Sequence, residues 1–286
     1  MRNNKNDTIL NLCISIFYSS REWHKIALEA IYPFLWETSN IISYMVLMNS
    51  DRGDNIRLIL EVEEKNAWNV ANLVNTHFQD YLTRSPSKPG SSFLDTPNKL
   101  FKNFENNTIH YGIYEFYEIK GFTNHQNEYH VALSDLLKEI FLEEKNEVVE
   151  NTFVLLLRML LIFFNLITYN NKTIIQVLEE ILEENQQNNS EVVLEENCRK
   201  SSVIYNENRS ELIEFSSEYT ALESEDYEYE WEKKWHHLIK MYYEKFKASY
   251  TDYQFFDSFF FPVCQMLDIK HSNVALTVLL RSVKKN

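Results

Sequence analysis

The stretch "FVLLLRMLLIFFNLI", from Phe153 to Ile167, is the tightest constraint in the chain. Its hydrocarbon surrounds every face of a helix, so the segment has to be enclosed rather than laid on a surface. As a helix it is roughly 22 Å long, short of the roughly 30 Å of a bilayer core. Arg158 and Asn165 interrupt it as well. It is expected as a buried helix of a protein core, with no membrane partner. The opening "MRNNKNDTIL" lacks the long apolar region and small-residue cleavage site of a secretory signal, so a cytoplasmic location is expected.

Around that helix the pattern changes along the chain. "ILNLCISIFY" is apolar and rich in β-branched residues, which predicts a buried strand. "SSREWHKIALEA" places Ser19 and Glu22 at capping-box spacing ahead of a helical stripe of Trp23, Ala27, Ala30, Ile31 and Phe34. A helix is predicted from about Arg21 to Leu35, with Pro33 kinking or ending it. "IISYMVLM" and "NIRLILEV" flank the polar turn "NSDRGD" and predict a hairpin, with Ile56, Leu58, Leu60 and Val62 on one face. "NAWNVANLVNTHFQDYL" predicts an amphipathic helix, and "RSPSKPGSSFLDTPNK" a loop. "TIHYGIYEFYEI" resumes the strand pattern. "GFTNHQNEYH" reads as a polar loop leading to the stripe Leu133, Leu136, Leu137, Ile140 and Phe141. From about 182 to 230 Asn, Gln, Glu and Ser take over, predicting mobile connections with short helical pieces. "WEKKWHHLIKMYYEKFKASY" and "SNVALTVLLRSV" predict closing helices.

Strands come first and helices later. That order predicts an α+β fold: a mixed or antiparallel sheet from the N-terminal half covered by helices, and a helical C-terminal half. A single domain spanning 1–286 is expected.

The composition excludes several function classes. The formal net charge of −14 would repel phosphate backbones, so no nucleic-acid partner is expected. Four glycines leave no room for the glycine-rich phosphate loops, and no histidine sits in a zinc pattern. Neither a metal nor another cofactor is expected. Cys13, Cys198 and Cys264 are odd in number and far apart, which points to ordinary thiols.

Candidate chemistry gathers at a few places. His236 and His237 adjoin inward-facing Trp235 and Leu238, so they are expected outward or sideways; His125 and His130 fall in the polar loop. In "YGIYEFYEIK", Tyr114, Phe116, Glu118 and Lys120 share one face and Glu115 and Tyr117 the other. Such a strand offers either structural ion pairs or a charged pocket that orients a substrate. Arg57 alternates with Ile59 and Glu61, opposite the apolar face of its strand. On a solvated sheet face it needs no function; under a cover it needs an acidic or carbonyl partner, and a site becomes the better explanation.

The succession "EAIYPFL", "NIRLILEV", "YEFYEIKGF", "SDLLKEIF" resembles the C-terminal domain of lantibiotic dehydratases, also found alone as the thiopeptide-type bacteriocin biosynthesis family. The likeness runs from about Ile9 to Phe141, with a weaker echo at Arg281. The family's patterns are approximately H-x-R-L-R-L, Y-E-P-E-x-E-R-Y-G-G and a terminal H-M-x-x-N-R-L. "NIRLIL" keeps the first arginine as Arg57 and has Ile59 for the second. "YEFYEIKGFT" keeps Tyr114 and Glu115, has Lys120 for arginine and lacks the Y-G-G. "LTVLLRS" keeps Arg281 and has Leu276 where histidine would fall.

Members close to those patterns eliminate glutamate from glutamylated serine or threonine, which takes a base for the α-proton and cations for the departing carboxylate. This chain departs from the pattern at those parts. The same fold serves pyridine synthases, which join two dehydroalanines by a formal [4+2] cycloaddition and expel water and the leader peptide. The resemblance therefore implies a cyclase of thiopeptide maturation. Glu115, Tyr117, His125 and His130 are its catalytic candidates, and Arg57, Tyr114, Lys120 and Arg281 its substrate-binding candidates. The implied partners are a precursor peptide with its leader and other enzymes of the same pathway. Two alternatives stay open: the eliminating half of a split dehydratase, and a non-catalytic module that binds the leader.

Overall fold

A computed structural model describes residues 8–50, 52–88, 103–112, 124–144, 152–167, 171–188, 191–223, 225–267 and 272–283. The chain divides into two compact units, Met1–Glu150 with Gln265–Asp268, and Asn151–Cys264 with Ile269–Asn286. The architecture is α+β, as the order of patterns predicts, and the sheet is antiparallel.

In the first unit β1 (Ile9–Phe17), β2 (Ile41–Asn49), β3 (Asn55–Glu63) and β4 (Thr108–Tyr111) form a sheet in the order β2-β3-β1-β4. The predicted hairpin is present as β2 and β3. Its turn passes through Arg52 and Gly53, both at positive φ. β1 inserts between β3 and β4, which suits its β-branched, apolar sequence. Ile56, Leu58, Leu60 and Val62 share one face and are all buried. α3 (Glu64–Arg84) packs against β1, β3 and β4, burying Val70, Val74, Phe78 and Tyr81 at helical spacing. The Tyr111 hydroxyl, on that same face, donates to the Ala71 carbonyl at 3.0 Å.

Between β1 and β2 run a 3-10 turn at Ser20–Glu22, α1 (Trp23–Ile26), a π turn at Ala27–Ile31, and α2 (Tyr32–Glu37). The helix does not stop at Pro33. Proline lacks an N–H and crowds the carbonyl four residues back, and the wider π turn falls where that carbonyl, of Glu29, sits. The expected cap at Ser19 makes no side-chain hydrogen bond; the Ser19 backbone N–H instead donates to Ser87 Oγ at 2.9 Å.

α4 (Asn124–Glu144) begins earlier than its sequence suggests, so His125 and His130 are helical rather than in a loop. The apolar stripe continues one turn back to Tyr129, which is buried, and this draws the polar-looking segment into the helix. Ser134 ties the helix to its neighbours: its carbonyl accepts from the Tyr32 hydroxyl at 2.5 Å and its Oγ accepts from the Val46 N–H at 3.1 Å. The second bond satisfies an N–H of strand β2, which among the described residues has one strand neighbour.

The second unit is helical and is organised by α5 (Thr152–Ile167), the enclosed segment, whose residues from Leu155 to Leu157 and Met159 to Phe164 are buried. Its successors are α6 (Asn171–Asn188), α7 (Glu191–Glu207), α8 (Arg209–Ala221), α9 (Glu230–Phe246), α10 (Asp252–Phe259), α11 (Phe261–Met266) and α12 (Ser272–Val283). The interval 182–230, expected to hold only short helical pieces, is mostly helix. Its buried positions include Ser201 and Ser216, small polar residues that give no apolar signal. α12 packs on α6, α7 and α8. All three cysteines are free thiols, and among the described residues no helix is long and apolar enough to cross a membrane.

Candidate active site

Strand register settles where Arg57 points. Directly paired residues in antiparallel strands project to the same face with Cβ atoms about 5 Å apart. Arg57 pairs with Leu47 on one side and Ser15 on the other, and Ser15 pairs in turn with His110. A row Leu47–Arg57–Ser15–His110 therefore crosses all four strands on the face opposite α3. Arg57 and His110 are half-buried, while Leu47 and Ser15 are buried. The neighbouring row, Met45–Ile59–Cys13, is also largely enclosed. This is not the open, solvated sheet face on which an arginine needs no explanation. Burial pushes the Cys13 thiol up, and the Arg57 charge opposes that rise, so the guanidinium field reaches across the face.

Toward the hairpin turn the face becomes aromatic. Phe17, Phe104 and His110 cluster: the Phe17 ring centroid lies 4.8 Å from Phe104 and 5.4 Å from His110, and Phe104 lies 4.1 Å from His110. The Arg52 guanidinium sits 4.1 Å from the centroid of Phe104. His110 Nε2 is 3.2 Å from Thr108 Oγ1, which orients the ring. At the opposite end, Glu61 accepts a short hydrogen bond from the Ser43 hydroxyl. Chemically the face offers a guanidinium fork, a hydroxyl and an imidazole side by side between hydrocarbon walls. That set can hold a carbonyl, an amide or a carboxylate and move a proton at it.

Of the residues named from sequence, Arg57 lies at the centre of this face. Tyr114, Glu115, Tyr117 and Lys120 lie outside the described residues, and His125 is placed only as part of the first turn of α4. His130 is buried in α4, where burial lowers its imidazole to about 4. At physiological pH it is neutral, with little of the imidazolium form that a general acid uses. Arg281 belongs to the second unit, on α12, and donates to Ser202 Oγ at 3.0 Å. Leu276, where the family pattern has histidine, is buried in the same helix.

Sequence reasoning missed Ser15 and His110. Alternation in "TIHY" puts Thr108 and His110 on one face, which was a usable signal. Their meeting with Ser15 and Arg57, however, depends on a pairing between segments more than ninety residues apart in the chain.

No protein-family model matches the chain, and no curated protein matches its sequence. Among solved structures it is similar to a pyridine synthase, TbtD, from thiomuracin biosynthesis, at 14% identity and a TM-score of 0.58, over 95% of this chain and 96% of that one. The two share a fold along nearly their whole lengths.

Proposed function

We propose that the protein is a maturation enzyme of a thiopeptide-type bacteriocin. It would form the pyridine macrocycle by joining two dehydroalanines in a formal [4+2] cycloaddition, with loss of water and the leader peptide. The observation that carries this reading is the shared fold with a pyridine synthase over nearly all of both chains. The candidate site supports it from another direction. Ile59 shares the face of Arg57, so a second arginine there would have put two cations side by side, as carboxylate departure asks. Hydrocarbon stands there instead, and a buried leucine stands at the histidine position. A cycloaddition needs neither of those groups. It needs the two alkenes held in a near-attack geometry and hydrogen bonds that favour amide tautomerisation.

The test is incubation with an azole-bearing precursor containing two dehydroalanines, followed by mass spectrometry. The expected product has lost the leader peptide and one water. Recovery of the precursor at unchanged mass overturns the cyclase reading for that substrate. Release of glutamate from a glutamylated precursor, leaving dehydroamino acids in the peptide, would assign the protein to elimination instead.

A further inference from the structure

We infer that Arg57, Ser15 and His110 form one binding row for a backbone amide of the modified peptide, with the Ser15 hydroxyl as its floor. The inference rests on the cyclase reading and deepens it by naming the substrate group that is held. Its main support is Ser15. The residue is fully buried, and its Oγ has no hydrogen-bond partner among the described residues. A buried hydroxyl left without a partner is destabilising, and an alanine at the same place would avoid that cost. A ligand that completes the bond explains why a hydroxyl stands there.

The neighbours of Ser15 fix what that ligand is. Register places it directly between Arg57 on β3 and His110 on β4, and both of those side chains are half-exposed, so the row is approached over its two polar ends. A guanidinium and a hydroxyl donate to one oxygen, and an imidazole nitrogen accepts from an adjacent N–H. Together they match the O=C–N–H edge of a planar amide: oxygen toward Arg57 and Ser15, nitrogen toward His110. The same contacts favour the iminol form. The amide N–H bond breaks as His110 takes the proton, the carbonyl oxygen takes the Ser15 hydroxyl proton as the double bond moves from C=O to C=N, and the His110 imidazolium returns its proton to Ser15, its register neighbour, so the net change is amide to iminol. Phe17 and Phe104 wall the His110 end with hydrocarbon, which strengthens each of these hydrogen bonds.

The experiment uses the full chain and a fluorescein-labelled, leader-free core peptide carrying azoles and two dehydroalanines. Binding is read by anisotropy, conversion by mass spectrometry, and folding by thermal melting. Ser15→Ala is expected to weaken peptide binding about tenfold, the value of one hydrogen bond to a polar group, and to melt no lower than the wild type. His110→Phe keeps the aromatic contacts and is expected to lower kcat more than affinity, which tests the row independently of Ser15. Unchanged peptide affinity in a folded Ser15→Ala, together with unchanged kcat in His110→Phe, overturns the inference. A wild-type protein that does not bind the peptide overturns it too. Ser15-dependent binding without conversion supports the row and sinks the cyclase reading alone.

Discussion

His130 is 5% exposed in α4, and burial lowers its imidazole to about 4, against about 6.5 for a solvated histidine. Above pH 6.5 the ring is neutral in both folded and unfolded chains and contributes no pH dependence. Below that, the unfolded chain takes the proton first, so stability falls as pH drops through the window from 6.5 to 4. The loss levels off at about 3 kcal/mol. His130→Gln is expected to flatten this part of the melting-temperature profile, and an equally steep profile in the variant would show that another group carries it. Gly53 poses a different constraint at the same scale. Its φ of +117° is open to glycine, and a Cβ would also come within 3.4 Å of the Phe17 ring. Gly53→Ala is therefore expected to cost at least about 1 kcal/mol in urea unfolding, with the strain delivered to a ring that walls the candidate site.

Between elements, the polar interruptions of the α5 sequence prove to be its connectors. Asn165 donates to the Tyr219 carbonyl at 2.7 Å, and Arg158 Nε lies 3.9 Å from Glu232 Oε1, a carboxylate with no exposure to solvent. Glu232 also accepts from the Tyr219 hydroxyl at 2.6 Å and from the Tyr229 N–H at 3.2 Å, which caps the start of α9. Three helices thus meet on one buried carboxylate. Glu232→Ala is expected to destabilise the protein by about 3–5 kcal/mol, the cost of stripping a buried charge of its partner. A shift under about 1 kcal/mol in chemical unfolding would contradict that assignment. What sequence showed and hid divides along this same line. The hairpin of β2 and β3, the stripe of α3 and the enclosure of α5 are local periodicities and were legible. The early start of α4, the helices between 182 and 230 and the pairing of Ser15 with His110 were not. They rest on tertiary burial of Tyr129, on small polar residues such as Ser201 in buried positions, and on long-range register.

At the scale of the whole molecule, a fold shared with a pyridine synthase leaves three roles to tell apart: cyclase, eliminase and leader-binding module. The electrostatics of the candidate face bear on the choice. A guanidinium with the hydrocarbon of Ile59 as its neighbour along the strand suits the orientation of an amide better than the capture of a leaving glutamate. If the chain organises a near-attack geometry, each polar group that touches the peptide contributes part of the rate and none carries all of it. Arg57→Lys, Glu115→Gln and Lys120→Met are each expected to slow conversion of the bis-dehydroalanine precursor by about 100-fold, the usual weight of one positioned acid, base or hydrogen-bond donor. Each is expected to retain affinity for the isolated leader peptide. Conversion at the wild-type rate in all three would remove these side chains from the reaction, and no conversion by the wild type itself would point to a module whose work is binding. Loss of leader affinity in step with rate would mean that these side chains hold the leader rather than the reacting core. Only a rate that falls while leader binding persists fits a chain that brings two alkenes together.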